Sequence, residues 1–239
     1  MKKTLLPIVL GAVACALPSV ASASLLVGFH SFTDTTGEGF LDSTADENPF
    51  NLQASIANTS TFGASTSNGS NDTFYGPDNG TGVSGAPVNN GRLEQANGTK
   101  FTVTNTTGSA FALTSLLFDA GITSGNLPTG VTTSSLSLSY TIGTGPSQSL
   151  ANNASMSPVS GTAPNENYAD FVFDLGNVLL GVGETITFSW VATNNTRLDN
   201  IALIGTQLSA IPEPGSFIAL GGLLGAGMFV RNRRRTVTA

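Results

Sequence analysis

The chain has 239 residues, of which 40% are hydrophobic and only 10% charged, with a formal net charge of −6. That is enough apolar material to close a core, so charge-driven disorder is excluded, and the scarcity of Lys and Glu argues against exposed helix faces. Of the nine bases, Lys2 and Lys3 lie at one end and Arg231, Arg233, Arg234 and Arg235 at the other, leaving Arg92, Lys100 and Arg197 between them; so acidic a middle lacks the basic patch that nucleic-acid binding needs.

In chain order, residues 1–23 read as a secretory signal. Lys2 and Lys3 form the basic start, Leu5 to Leu17 the apolar stretch, and Ala21-Ser22-Ala23 the small residues of a cleavage site, with the cut expected between Ala23 and Ser24. Signal peptidase is the implied partner. The rival is lipidation at Cys15, but the preceding Ala12-Val13-Ala14 lacks the usual Leu. Cys15 is the only cysteine, so cleavage would leave a domain with no thiol, disulfide or thiolate metal site.

Residues 24–209 read as one extracellular domain. Strand character appears at Leu25 to Phe32, Asn51 to Ala57, Lys100 to Asn105, Phe111 to Ala120, Ser134 to Ile142, Tyr168 to Leu175, Glu184 to Ala192 and Leu198 to Ile204. Alternation is plain in several of them: Phe101, Val103 and Asn105 against threonines; Leu136, Leu138 and Tyr140 against serines; Phe171, Phe173 and Leu175; Ile186, Phe188 and Trp190. No amphipathic helix intervenes. The expectation is an all-β, antiparallel, jelly-roll-like β-sandwich. Thr193-Asn194-Asn195-Thr196 reads as a hairpin turn, and Ser60 to Asn90 as a long irregular stretch.

Catalytic patterns are thin. His30 is the only histidine, and no Gly-x-Ser-x-Gly elbow accompanies it. Asp170 and Asp174 share one side of a strand at a spacing of ~13 Å, too far apart for a glycosidase pair and consistent with a solvated face. No metal ligand set is assigned. The acids Asp34, Glu38, Asp42, Asp46, Glu47, Asp72 and Asp78 offer oxygen donors for a structural calcium, without an EF-hand pattern, against the plainer reading of polar turns. Phe74 and Tyr75, set in the polar stretch, are the candidate ligand-binding aromatics for a sugar; Trp190 reads as core.

The final thirty residues, 210–239, have three parts in order. Ile211-Pro212-Glu213-Pro214-Gly215 is followed by an apolar stretch over 216–230 and the basic end 231–235. The apolar run from Phe217 to Val230, about 14 residues, spans ~21 Å as a helix, short of the ~30 Å bilayer core. Gly221, Gly222, Gly225 and Gly227 weaken it further. The arginines Arg231, Arg233, Arg234 and Arg235 form a cytoplasmic basic anchor that leaves the domain outside. An ordinary tail anchor is the alternative.

Pro212-Glu213-Pro214, the short apolar helix and the Arg-rich end together resemble the PEP-CTERM sorting domain of Gram-negative bacteria. The resemblance covers about the last tenth of the chain. It implies that Pro212, Glu213 and Pro214 are read by exosortase, a membrane-embedded processing enzyme. It also implies an inner-membrane-tethered precursor that is then delivered to the cell surface or outside, in bacteria that build exopolysaccharide and biofilm. A second resemblance is softer. Phe111 to Asp119 and Arg197 to Leu203 are similar to segments of secreted jelly-roll domains found with such tails, and to closing strands of carbohydrate-binding modules. The functional expectation is an exported, non-catalytic surface or matrix protein without a cofactor; the alternative is a carbohydrate-binding module for exopolysaccharide, and a secreted hydrolase stands third.

Overall fold

The computed structural model describes residues 22–30, 32, 40–42, 45–58, 64–65, 74–75, 83–84, 92–93, 96–122, 133–156, 168–193 and 196–208. Among them every regular element is a strand: β1 (Ser24–Phe29), β2 (Phe40–Asp42), β3 (Gln53–Asn58), β4 (Ala64–Ser65), β5 (Phe74–Tyr75), β6 (Val83–Ser84), β7 (Arg92–Leu93), β8 (Thr99–Thr104), β9 (Phe111–Ile122), β10 (Ser134–Ile142), β11 (Gln148–Met156), β12 (Ala169–Leu180), β13 (Thr185–Ala192) and β14 (Thr196–Gln207). The expected signal segment up to residue 21, and the sorting tail with its apolar helix, lie outside the described residues.

Two six-stranded antiparallel sheets face each other. Sheet A runs β12-β9-β14-β7-β4, with β1 also on β14; sheet B runs β11-β10-β13-β8-β3-β2. This is a β-sandwich. Its core is built by the alternating residues of both sheets: Phe101, Phe188 and Trp190 from sheet B meet Phe29 and Phe118 from sheet A. Phe118 stacks on Phe171 at 5.3 Å and meets Trp190 edge-on at 5.5 Å, geometries that add to plain burial.

The alternation expected in four strands holds. Phe101, Val103 and Asn105 are buried, as are Ile186, Phe188 and Trp190. Asn105 is an amide on a core face, and it is fully used. Its Nδ2 donates to the carbonyls of Ser109 (2.9 Å), Leu180 (3.2 Å) and Gly181 (3.0 Å), and its Oδ1 accepts from the Thr107 amide at 3.0 Å. Its backbone exchanges bonds with Glu184 and Gly183. One side chain thus ties the β8–β9 crossover to the turn joining β12 to β13, where Gly183 at φ 78° takes the left-handed position of a tight turn.

One expectation is corrected. Thr193 to Thr196 is not a hairpin turn. β13 pairs with β10 and β8 in sheet B, whereas β14 pairs with β9, β1 and β7 in sheet A, so this segment carries the chain from one sheet to the other. The reason lies in β14, which is buried from Thr196 to Gly205 and therefore central and covered on both faces. A position beside β13 would have left one of those faces open to solvent.

Candidate functional site

The two outer faces of the sandwich differ. On sheet A the outward residues Leu117, Ala202 and Ile204 are apolar and join Tyr75 of β5 in a second small cluster, with Leu25 at its margin. The segment around Glu47 runs alongside β1 at the edge of this sheet, where Gly28 and Glu47 exchange backbone bonds at 2.8 and 3.2 Å, and the Glu47 side chain reaches Tyr75 on the outer face. Beneath this cover the outward row continues as carboxylates. Asp170, Asp119 and Asp199 stand opposite one another on β12, β9 and β14. Asp170 is exposed, but Asp119 and Asp199 are buried, together with Arg92 and Arg197. An extra residue in β14 at Asn200 (φ 45°) shifts the register past Asp199, and brings the Asn200 amide to 2.6 Å from Asp119 Oδ2.

His30 follows β1 and is held between two acids of this segment. Its Nε2 lies 3.1 Å from Glu47 Oε1, its Nδ1 3.7 Å from Asp46 Oδ2, and its backbone N–H donates to Asp46 Oδ2 at 2.7 Å. The other Glu47 oxygen accepts a hydrogen bond from the Tyr75 hydroxyl. Burial first, then the Glu47 bond and the charges of Glu47, Asp46 and Asp199, raise the Tyr75 phenol far above the ordinary tyrosine range. It stays a proton donor throughout the physiological range. Glu47 therefore links His30, Tyr75 and the Gly28 backbone into one clamp that fastens the cover to sheet A.

This clamp is where the sequence candidates meet, and it corrects one of them. Tyr75 was expected to offer an exposed stacking face, but it is fully buried against Gly28. Phe74 precedes it in β5. Asp46 and Glu47, candidates for calcium, are engaged with His30. Asp42 ends β2, while Asp34, Glu38, Asp72 and Asp78 lie outside the described residues. Among the described residues no group of three or more His, Cys, Asp and Glu side chains is placed to hold a metal. Asp170 and Asp174 are exposed as expected, and Asp174 accepts the Gly176 N–H at 2.7 Å. Ala23 is exposed and Ser24 opens β1. Ala21, Pro212, Glu213, Pro214, Arg231, Arg233, Arg234 and Arg235 lie outside the described residues.

The outer face of sheet B needs no cover. Opposed residues share a face, and the registers generate rows rich in hydroxyls: Ser55, Thr102, Thr187 and Thr141 in one, and Ser189, Ser139 and Ser149, with Lys100 beside Ser189, in the next. Neighbouring hydroxyls touch, Thr104 to Thr185 at 2.8 Å and Thr102 to Thr187 at 3.4 Å. At one end of these rows is an open cleft of about 290 Å³, lined by Thr133, Ser134, Ser135, Asn153, Ser155 and Thr193. Thr193, just past β13, forms one wall: its Oγ1 lies 3.2 Å from Ser135 Oγ and accepts the Ser135 N–H at 2.9 Å. The opposite wall is β11, where Asn153 (φ 53°) is set by a bond from its N–H to Ser137 Oγ at 3.0 Å. Sequence reading missed this cleft, because β11 went unrecognised. The serines alternating along β10 were the available signal.

No family model matches the chain, and no curated protein matches it. Among solved structures it is similar to an exo-β-1,3-galactanase from Phanerochaete chrysosporium with galactose, at 15% identity over 71% of this chain and 30% of that one, TM-score 0.29. It is also similar to the Agl-KA catalytic domain, at 11% identity over 81% of this chain and 30% of that one, TM-score 0.34. The mosquito-larvicidal Cry4Aa toxin from Bacillus thuringiensis matches at 10% identity over 51% of this chain and 20% of that one, TM-score 0.30. The chain spans less than a third of the length of each, and likenesses this distant carry no argument about activity.

Proposed function

We propose that the chain is an exported, non-catalytic surface or matrix protein, with a jelly-roll-like domain delivered by a signal peptide and a PEP-CTERM-like sorting tail. The observation that carries this reading is the order Pro212-Glu213-Pro214, apolar run, arginine cluster, beginning just after the last strand ends at Gln207. At the other end β1 opens at Ser24, where the proposed cleavage would release it. The strand orders β1-β14-β9-β12 and β8-β13-β10-β11 support the jelly-roll reading, since they are those of two interlocked Greek keys. The non-catalytic part is supported by the clamp: the only histidine and its neighbouring acids are spent on holding the cover.

In this reading signal peptidase and an exosortase-type enzyme process a precursor held in the inner membrane of a Gram-negative cell. The product then joins the surface or an exopolysaccharide matrix. Replacing Pro212, Glu213 and Pro214 with alanines should trap a full-length, membrane-bound form that keeps its arginines. Equal size and equal location of wild type and variant on fractionation would overturn the sorting reading.

A further inference from the structure

The geometry points to the cleft between β10, β11 and Thr193 as a binding site for a neutral polysaccharide. This rests on the surface or matrix reading and names the partner's chemistry within it. Among the described residues the lining is all hydroxyl and amide, with no carboxylate, ammonium or guanidinium group. A charged ligand would meet no counter-charge there, and an apolar one would strip water from the hydroxyls without replacing its bonds. A sugar hydroxyl both donates and accepts, as do Ser135, Ser155 and Thr193, and the exposed Asn153 amide adds a fixed donor and acceptor.

Two features make the cleft more than a polar dent. Its walls are set from within. Ser134, a mostly buried lining residue, lies 3.0 Å from Thr196 Oγ1 and 3.1 Å from Thr193 Oγ1, so Thr193 is held in place before any ligand arrives. Preorganisation of this kind lowers the ordering cost of binding. The cleft also opens toward the hydroxyl rows of sheet B, where Ser137, Ser139 and Thr187 lie on the same outward face, with the exposed Val191 opposite Ser137. A sugar chain leaving the cleft therefore keeps finding partners, and β-branched threonines lose little freedom in making them. Among the described residues no aromatic side chain lines the cleft, so a single sugar binds weakly and the attraction grows with chain length.

The test is affinity electrophoresis of the purified full chain through gels containing dextran, a β-glucan or a galactan, with polygalacturonate as the anionic control. The neutral polymers should retard the protein and polygalacturonate should not. The double variant Asn153→Gly, Ser155→Ala keeps the left-handed position and removes two polar side chains. It should bind about tenfold more weakly, the loss expected for two ordinary hydrogen bonds, with an unchanged melting temperature. Thr187→Val should weaken binding of long chains but not of short oligosaccharides. The proposal is overturned if no neutral polymer retards the wild type, if polygalacturonate retards it equally, or if the double variant binds as wild type does. Fractionation of the producing cells reads the surface assignment separately. A matrix protein that no neutral polymer retards sinks the cleft alone, while a retarded protein confined to the cytosol sinks the surface reading alone.

Discussion

Replacing Tyr75 with Phe removes one hydroxyl from the clamp, and the consequence depends on pH in a direction the structure sets. At pH 8 the change deletes a hydrogen bond to the Glu47 carboxylate, worth about 1.5–3 kcal/mol for a charged acceptor. As pH rises, the balance shifts. Tyr75 is fully buried and its phenol pKa is raised, chiefly by burial, so the folded protein keeps the proton. In the unfolded chain the same phenol ionises near pH ~10. Above that point the folded state binds more protons than the unfolded state, and stability falls with pH. The contribution is intact below about pH 10 and declines by about 1.4 kcal/mol per pH unit beyond it. By pH 11 the wild type should have lost about 1.4 kcal/mol through this residue alone, an effect absent from Tyr75→Phe. Tyr140 and Tyr168, the other two tyrosines, are common to both proteins and drop out of the difference. Urea unfolding at steps from pH 8 to pH 11, extrapolated to water, should show the gap between wild type and variant closing as pH rises. A gap that stays constant would refute a buried, protonated Tyr75.

Other substitutions probe the same architecture. A Cβ on Gly28 would stand 2.6 Å from Tyr75 Oη and 2.7 Å from Cζ, so Gly28→Ala should lower stability by about 1–3 kcal/mol, as read by thermal melting, with the loss smaller in a Tyr75→Ala background. Asn105→Asp would set a carboxylate against the carbonyls of Ser109, Leu180 and Gly181; a buried, uncompensated charge costs about 3–5 kcal/mol. That carboxyl would have a raised folded pKa, so the variant should regain stability as pH falls below neutrality, and denaturant midpoints at pH 7 and pH 4 check it. Asn200→Gly keeps the left-handed residue and loses only the bond to Asp119, whereas Asn200→Ala loses both; alanine should be the more destabilising by about 1 kcal/mol.

Strands with one buried face were legible because their neighbours are Ser and Thr. Leu136 and Leu138 on β10, and Ile186 and Phe188 on β13, are separated by hydroxyl residues, and period two survives at every step. β11 escaped notice for the opposite reason. Gln148–Met156 has few apolar residues, lies at an edge, and changes register with β10 twice, so no alternation reaches the sequence. The supposed hairpin before β14 shows a different limit. Asn-rich turn chemistry at residues 193–196 is local, while the choice of sheet depends on which partner can bury both faces of β14. The unbroken burial from Thr196 to Gly205 was hinted at by Ile201-Ala202-Leu203-Ile204, a run without alternation. Tyr75 was misjudged because its surroundings in sequence are polar; the groups that bury it, Gly28 and Glu47, come from far earlier in the chain.

The same distinction explains why a partner should be sought on one face and not the other. An outward residue must end in contact either with solvent or with another part of the chain. On sheet A those residues include Leu117, Ala202 and Ile204, whose exposure would cost about 1.5–3 kcal/mol for each large side chain. The chain answers with β5, and Glu47, bridged to the edge of β1 and bonded to His30 and Tyr75, holds that cover down. On sheet B most outward residues are small alcohols, with Lys100 and the exposed Val191 among them; the alcohols remain solvated without a cover, and water over them can be exchanged for another hydroxylated surface at little net cost. Covering costs the chain the use of one face for recognition. The serines and threonines of β8, β10 and β13 leave the other available.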